Sequence, residues 1–158
     1  MLSCVETTSV EAPAEVNPNT SFTVTINIAA FDSGTETGYL AILIPEIWSV
    51  DSVYGVGYGY SGPLSNDGPT GMLSAPASGY EWSSWKTPVE LYTDSGETGY
   101  ANAVISTSDS LGTFQLAFCA GHYGSYHPYW EDYPCSCLVE VTPLNLEQET
   151  WGYIKVGF

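Results

Sequence analysis

The sequence predicts an all-β fold, an antiparallel sandwich, on three observations. Apolar residues alternate with polar ones at period two over several short stretches, and almost nothing shows the 3.6-residue period of an amphipathic helix. Gly, Pro, Asn and Asp clusters separate those stretches at short intervals. A chain of 158 residues that is 44% hydrophobic and 14% aromatic has ample core for one domain.

Val5–Val10 is the first candidate strand, and VNPNT is the turn before the next. In Thr20–Phe31, Phe22, Val24, Ile26 and Ile28 fall on one face and Thr23, Thr25 and Asn27 on the other, as in a half-buried strand. Asp32-Ser33-Gly34 begins another turn. Gly38–Ile44 is apolar at both parities, which places it at the centre of a sheet, covered on both sides. Trp48–Val56 carries a further strand. Gly57–Gly79, rich in Gly, Tyr, Pro and Ser, is expected to be a long loop with one short strand near Met72–Leu73. Tyr80–Trp85 and Val89–Tyr92 read as extended.

Tyr100–Thr107 and Thr113–Cys119 are expected strands joined by the turn Ser108–Gly112, with Phe114, Leu116 and Phe118 opposite Gln115 and Ala117. Leu138–Thr142 closes the domain with Val139 and Val141 inward. That makes about seven to nine strands, enough for a two-sheet sandwich. The domain is expected over residues 1–143, with 144–158 as a linker and C-terminal tail or an added edge strand. No internal repeat is visible.

Charge narrows the function. Asp and Glu number 18 against two cations, Lys86 and Lys155, for a formal net charge of −16. Such a surface repels phosphate, so nucleic acid and anionic membranes are poor partners. No apolar run reaches the ~18 residues of a membrane span, so no insertion is expected. Charged residues are only 13% of the chain, and Ser, Thr, Gly, Tyr and Asn supply the polar surface in the style of an exported protein. Four cysteines fit an oxidising compartment. Met1-Leu2-Ser3-Cys4 shows no apolar export segment, so such a signal is expected to have been omitted before Met1.

His122–Cys137, HYGSYHPYWEDYPCSC, concentrates the chemistry-bearing side chains. The four cysteines allow three pairings. Cys135 and Cys137, two apart in extended chain, are poorly placed to join each other. Cys119 is therefore expected to take one of them, with Cys137 favoured, and Cys4 the other. A parity conflict attends the favoured pair, because Cys119 sits with Gln115 while Cys137 sits with Val139. Zinc could use His122 and His127 with Glu131 or Asp132, but no CxxC or HExxH pattern supports it, and no metal or other cofactor is expected. GYGYSG at Gly57–Gly62 matches G-x-G-x-x-G, yet PLSNDGPTG follows where a dinucleotide site needs a helix, so tyrosines alternating with glycines in a loop is the reading. No acid pair or G-x-S-x-G elbow singles out catalytic residues, and no enzyme is expected.

The aromatics supply a candidate binding surface. Tyr123, Tyr126, Tyr129 and Trp130 in one loop, with Tyr80, Trp82 and Trp85 elsewhere, would form a platform for stacking glycan rings. Large rings also plug cores and seal interfaces.

EAPAEVNPNTSFTVTINIAA followed by GYLAILIPEIWSV resembles the immunoglobulin-like accessory domains of bacterial secreted and cell-surface proteins. Pro45-Glu46-Ile47-Trp48-Ser49-Val50 stands where that family has L-P-E-G-W-S-V, with Ile47 in place of the usual Gly. The likeness covers Glu11 to Val50 and, more loosely, Thr113 to Thr142. The tail TWGYIKVGF is similar to short Trp-Gly-x-x-Lys tails of exported bacterial proteins. These resemblances imply an immunoglobulin-like sandwich that is non-catalytic, extracellular, and structural or adhesive. Its implied partners are further copies of itself or neighbouring surface domains. The alternative is a carbohydrate-binding module using the exposed Trp and Tyr loops.

Overall fold

The computed structural model describes residues 5–67, 73, 75–122 and 135–144. Ten strands and no helix occur among them: β1 (Val5–Glu11), β2 (Glu15–Val16), β3 (Ser21–Ala30), β4 (Gly34–Pro45), β5 (Ser49–Gly57), β6 (Tyr60–Pro63), β7 (Tyr80–Thr93), β8 (Thr98–Ser106), β9 (Gly112–His122) and β10 (Cys135–Val141). They build two five-stranded sheets, one in the order β1-β3-β8-β5-β6 and the other β2-β10-β9-β4-β7. Every pairing is antiparallel except that of β2 with β10. The molecule is the antiparallel immunoglobulin-like sandwich that the sequence implies.

The alternating patterns fix which face turns inward. Val24 and Ile26 of β3, Leu116 and Phe118 of β9, and Val139 and Val141 of β10 are all buried in one core between the sheets. β4 lies between β9 and β7, so its run of apolar residues is used on both faces. Leu40, Ile42 and Ile44 enter the main core, while Ala41 packs with Cys119, Tyr39, Leu73 and Trp82 on the outer face. Trp48, carried by the turn after β4, plugs one end of the core against Phe22 and Phe114, at ring separations of 5.9 and 4.9 Å.

Three local expectations are corrected. Residues 57–79 are not one long loop: β5 turns directly into β6 through Tyr58 and Gly59, with Gly57 paired to Tyr60. Both turn residues have positive φ, 57° and 75°, the type I′ geometry that matches the twist of a two-residue hairpin. Gly59 takes that conformation without strain. Tyr58 is held in it because its ring is buried and its hydroxyl donates to the Ile28 carbonyl at 3.0 Å. The short strand expected near Met72–Leu73 is not formed by Leu73, and Met72 lies outside the described residues. Tyr80–Trp85 and Val89–Tyr92 are one continuous strand, β7, with Pro88 carried on the side of its register irregularity. β2 and β6, too short to signal by alternation, bring the count to ten.

The long sides of the sandwich are tied across. Beyond β6, Ser65 exchanges two 2.9 Å backbone hydrogen bonds with Lys86 of β7, and the Tyr92 amide donates to the Tyr58 carbonyl. Lys86 reaches Asp67 at 2.7 Å in an exposed ion pair. On the opposite side the Thr7 hydroxyl of β1 accepts from the Ala120 amide of β9 at 2.9 Å. The Ser65 and Tyr92 bonds occupy backbone groups of the β7 edge that would otherwise be open to another chain, and the Thr7 bond satisfies an amide of β9 beyond the end of its pairing with β10.

Candidate functional site

The expected aromatic platform can be traced only for its first three members. Trp85 is buried in the main core, with its indole N–H donating to Ser83 at 2.8 Å. Trp82, three residues earlier, points to the outer face of its sheet and packs on Ala41 and Cys119. Tyr80 shares that outer side, and its hydroxyl accepts from the Gln115 amide at 3.2 Å. Trp85 and Trp82 thus lie on opposite faces and do not form one surface. Tyr123, Tyr126, Tyr129 and Trp130, with His127, Glu131 and Asp132, lie outside the described residues, as does Cys4. Among the described residues no three of His, Cys, Asp and Glu converge as metal ligands.

The favoured Cys119–Cys137 disulfide is corrected. Cys137 stands opposite Leu116 in the β9–β10 ladder, three residues along the strand from Cys119. That offset is about 10 Å at strand rise, beyond what a disulfide spans. The parity conflict is also real: Cys137 packs on the main core and Cys119 on the outer face of the sheet. No disulfide joins Cys119, Cys135 and Cys137 to one another. Burial, and secondarily the neighbouring Cys135, push the Cys119 thiol up to about 12. Burial raises Cys135, with Glu6 adding to it, and burial alone raises Cys137. Thiols held protonated in this way are poor nucleophiles and poor metal ligands.

A different surface emerges from the strand register. On the outer face of the β1-β3-β8-β5-β6 sheet the ladder aligns Thr25, Asn102 and Tyr54 in one row and Asn27, Tyr100 and Val56 in the next. Thr25 donates to Asn102 at 2.8 Å, Asn27 to Ser9 at 3.0 Å, and the hydroxyls of Tyr54 and Ser61 are 3.2 Å apart. Tyr54 and Tyr100 are 46% and 40% exposed, and both stand free enough to stack a ligand. Beside Tyr100 an open groove of about 470 Å³ runs over Gly57 and Gly99, between Thr8, Asn27 and Thr98. Those two glycines, on adjacent strands, let the β5 and β8 backbones approach closely beneath it. A methyl group built on Gly99 would lie 2.7 Å from the Val56 carbonyl, and one on Gly57 2.8 Å from the Gly99 Cα.

Sequence reasoning missed this face because each strand, taken alone, shows only an ordinary polar side; the rows appear when register is known. Behind it, between the sheets, a cavity of about 50 Å³ lies among Leu40, Leu91, Tyr58 and Ala120. It is too small for any ligand larger than a water or two.

Comparison with known proteins places the architecture. No family model and no curated protein matches the chain. A cohesin module from the Clostridium perfringens ATCC13124 family 33 glycoside hydrolase superposes with a TM-score of 0.52 at 9% identity, over 91% of this chain and 100% of that one. What is shared is the sandwich. AvmM, which catalyses macrocyclization in alchivemycin A biosynthesis, is similar at a TM-score of 0.51 and 9% identity, over 86% of this chain and 88% of that one. A cohesin module and a catalyst on one fold mean that the fold alone decides no role.

Tyr58 yields a pH-dependent prediction. Burial first, and the Glu97 carboxylate second, push its phenol up to about 12, against a Gly99 backbone hydrogen bond acting the other way. Unfolded tyrosine ionises near pH 10, so the neutral buried phenol contributes stability below about pH 10 that is lost as pH rises toward 12. At pH 8.5 Tyr58→Phe is expected to be about 1 kcal/mol less stable than the parent, for the lost hydrogen bond. At pH 11.5 the order reverses, because ionisation on unfolding costs the parent about 2 kcal/mol. Urea midpoints of both proteins at both pH values check this; a constant difference would refute it.

Proposed function

We propose that the chain is a non-catalytic, exported β-sandwich module that acts as a structural or adhesive unit at the cell surface. The observation that supports this best is how its polar side chains are used. Thr7 and Tyr80 each tie one strand to another, and Tyr58 ties the β5–β6 turn to β3, through side-chain hydrogen bonds. Thr107 joins the turn before β3 to the end of β8 through its hydroxyl, which donates to Asn17 at 3.0 Å and accepts from the Thr20 amide at 3.1 Å. These groups hold a frame together instead of converging on a reacting centre, and the interior gap beside them is apolar. Open surface is what remains for contact.

Charge favours neighbouring domains over further copies as partners. Two bodies each at −16 repel over about 10 Å at 0.1 M salt, so self-assembly would require screening. The reading is tested by surface labelling of intact producing cells with a non-permeant reagent, and by a substrate panel of hydrolase and transferase reactions on the purified chain. Labelling without turnover is expected. Protection inside the cell, or turnover of any substrate, refutes it.

A further inference from the structure

The outer face of the β1-β3-β8-β5-β6 sheet differs from the rest of this acidic molecule. β3, β6 and β8 contain no charged residue, and β5 contains only Asp51. That carboxylate lies at one end of the face, where it accepts from Ser49 at 2.7 Å and from Ser106. The middle of the face is hydroxyl, amide and tyrosine. The edge strand β1 adds two exposed acids, Glu6 and Glu11, the latter opposite Thr25, so the face is acidic at its margins and uncharged over β3, β8 and the inner part of β5.

We propose that this face binds a neutral polysaccharide, with Tyr54 and Tyr100 as stacking platforms and Thr25, Asn27 and Asn102 as hydrogen-bonding partners. The proposal rests on the reading of the chain as a non-catalytic adhesive module and names the class of its ligand. The alternatives fail on chemistry. An anionic ligand meets the field of a −16 protein. A cationic ligand finds carboxylates only at the margins of the face, Glu6 and Glu11 on the edge strand β1 and Asp51 at one end, and none between Tyr54 and Tyr100. An apolar partner would bury the Thr and Asn side chains without replacing their hydrogen bonds to water, at a cost for each. A second copy brings its own net charge. A neutral sugar polymer suits both halves of the surface: its apolar ring faces lie on tyrosine and its hydroxyls exchange with amides and hydroxyls.

Register supplies the geometry. Tyr54 stands opposite Asn102, and Tyr100 opposite Val56 on the neighbouring row, so the two tyrosines are diagonal cross-strand neighbours. Such pairs lie about 7–8 Å apart, close enough for successive units of one chain to meet both rings. The groove over Gly57 and Gly99 continues from Tyr100, and its volume is in the range of carbohydrate-sized ligand sites.

The test is affinity electrophoresis of the full chain through gels holding xylan, mannan or mixed-linkage β-glucan, and pull-down on cellulose and chitin. Released reducing ends are measured on the same samples. Retention by at least one polymer is expected, weakened roughly tenfold by Tyr54→Ala and by Tyr100→Ala, an effect typical of losing one stacked ring. Tyr100→Phe keeps the ring and is expected to retain most of the binding. Tyr92→Ala, an exposed tyrosine of the other sheet, is expected to leave retention unchanged. No retention by any of these polymers, or retention indifferent to both alanine variants, overturns the proposal. Release of reducing ends would instead overturn the non-catalytic reading, whatever the tyrosine variants do.

Discussion

Phe118→Ala is expected to destabilise the protein by about 3–5 kcal/mol, a large part of a typical total of roughly 5–15. Phe118 is fully buried in β9, with Ile42 of β4 on one flank and Cys135 of β10 on the other. Removing the ring leaves a void between two close-packed sheets, and strands hydrogen-bonded on both sides cannot move in to fill it. In a chain of this length the loss lowers Tm by about 2–4 °C per kcal/mol. Urea unfolding gives the same quantity through a shifted midpoint at unchanged slope. The neighbouring strand provides an internal control. Val139 is buried and Leu138 is 64% exposed, one residue apart in β10. Val139→Ala is expected to be clearly destabilising, and Leu138→Ala to stay within about 0.5 kcal/mol. Equal effects at the two positions would mean that the faces of β10 have been assigned the wrong way round.

Gly57→Ala is expected to cost about 3 kcal/mol, from two sources that add. The residue has φ of +130°, a conformation closed to side chains, and its new methyl would lie 2.8 Å from the Gly99 Cα. The obstacle is backbone, so relief requires β5 and β8 to separate. Gly79 separates the two terms: its φ is +85° and nothing lies within 4 Å of a methyl there. Gly79→Ala is therefore expected to carry the conformational cost alone, about 1–2 kcal/mol. Chemical denaturation of both variants checks the difference, and parity between them would show that β5 and β8 are not in close contact.

Much of the fold was legible because burial writes its own period into a strand. Phe22 to Ile28 and Phe114 to Phe118 each have one clean face, and the structure puts those faces in the core. The apolar run from Gly38 to Ile44 predicted a central strand covered on both sides for the same reason. What resisted reading was whatever depends on partners distant in sequence. β2 is two residues long and is defined only by β10. The Tyr58-Gly59 turn looked like a loop because a tyrosine at positive φ has no local signature; its justification is the Ile28 carbonyl, thirty residues away. The cysteine pairing failed on parity that the sequence displayed but could not weigh against strand-end distortion. Trp82 and Trp85, three apart in one strand, have opposite parity and so fall on opposite faces, which their closeness in sequence conceals. The neutral tyrosine face was invisible because Tyr54 and Tyr100 become neighbours only through the β5–β8 register.

β2 and β10 run parallel, joined by amides of Glu140 and Thr142 donating to Ala14 and Val16 at 2.9 and 3.0 Å, and by Thr142 donating to the Glu15 carboxylate at 2.6 Å. A tether pulling the start of β2 away from the end of β10 loads these bonds sideways, in shear, so they share the tension and must yield together. β1, hydrogen-bonded into the opposite sheet, adds a second anchor before β2 can peel. A unit strung between two attachments would thus resist traction through β1, β2 and β10, while its remaining seven strands need bear little of the load.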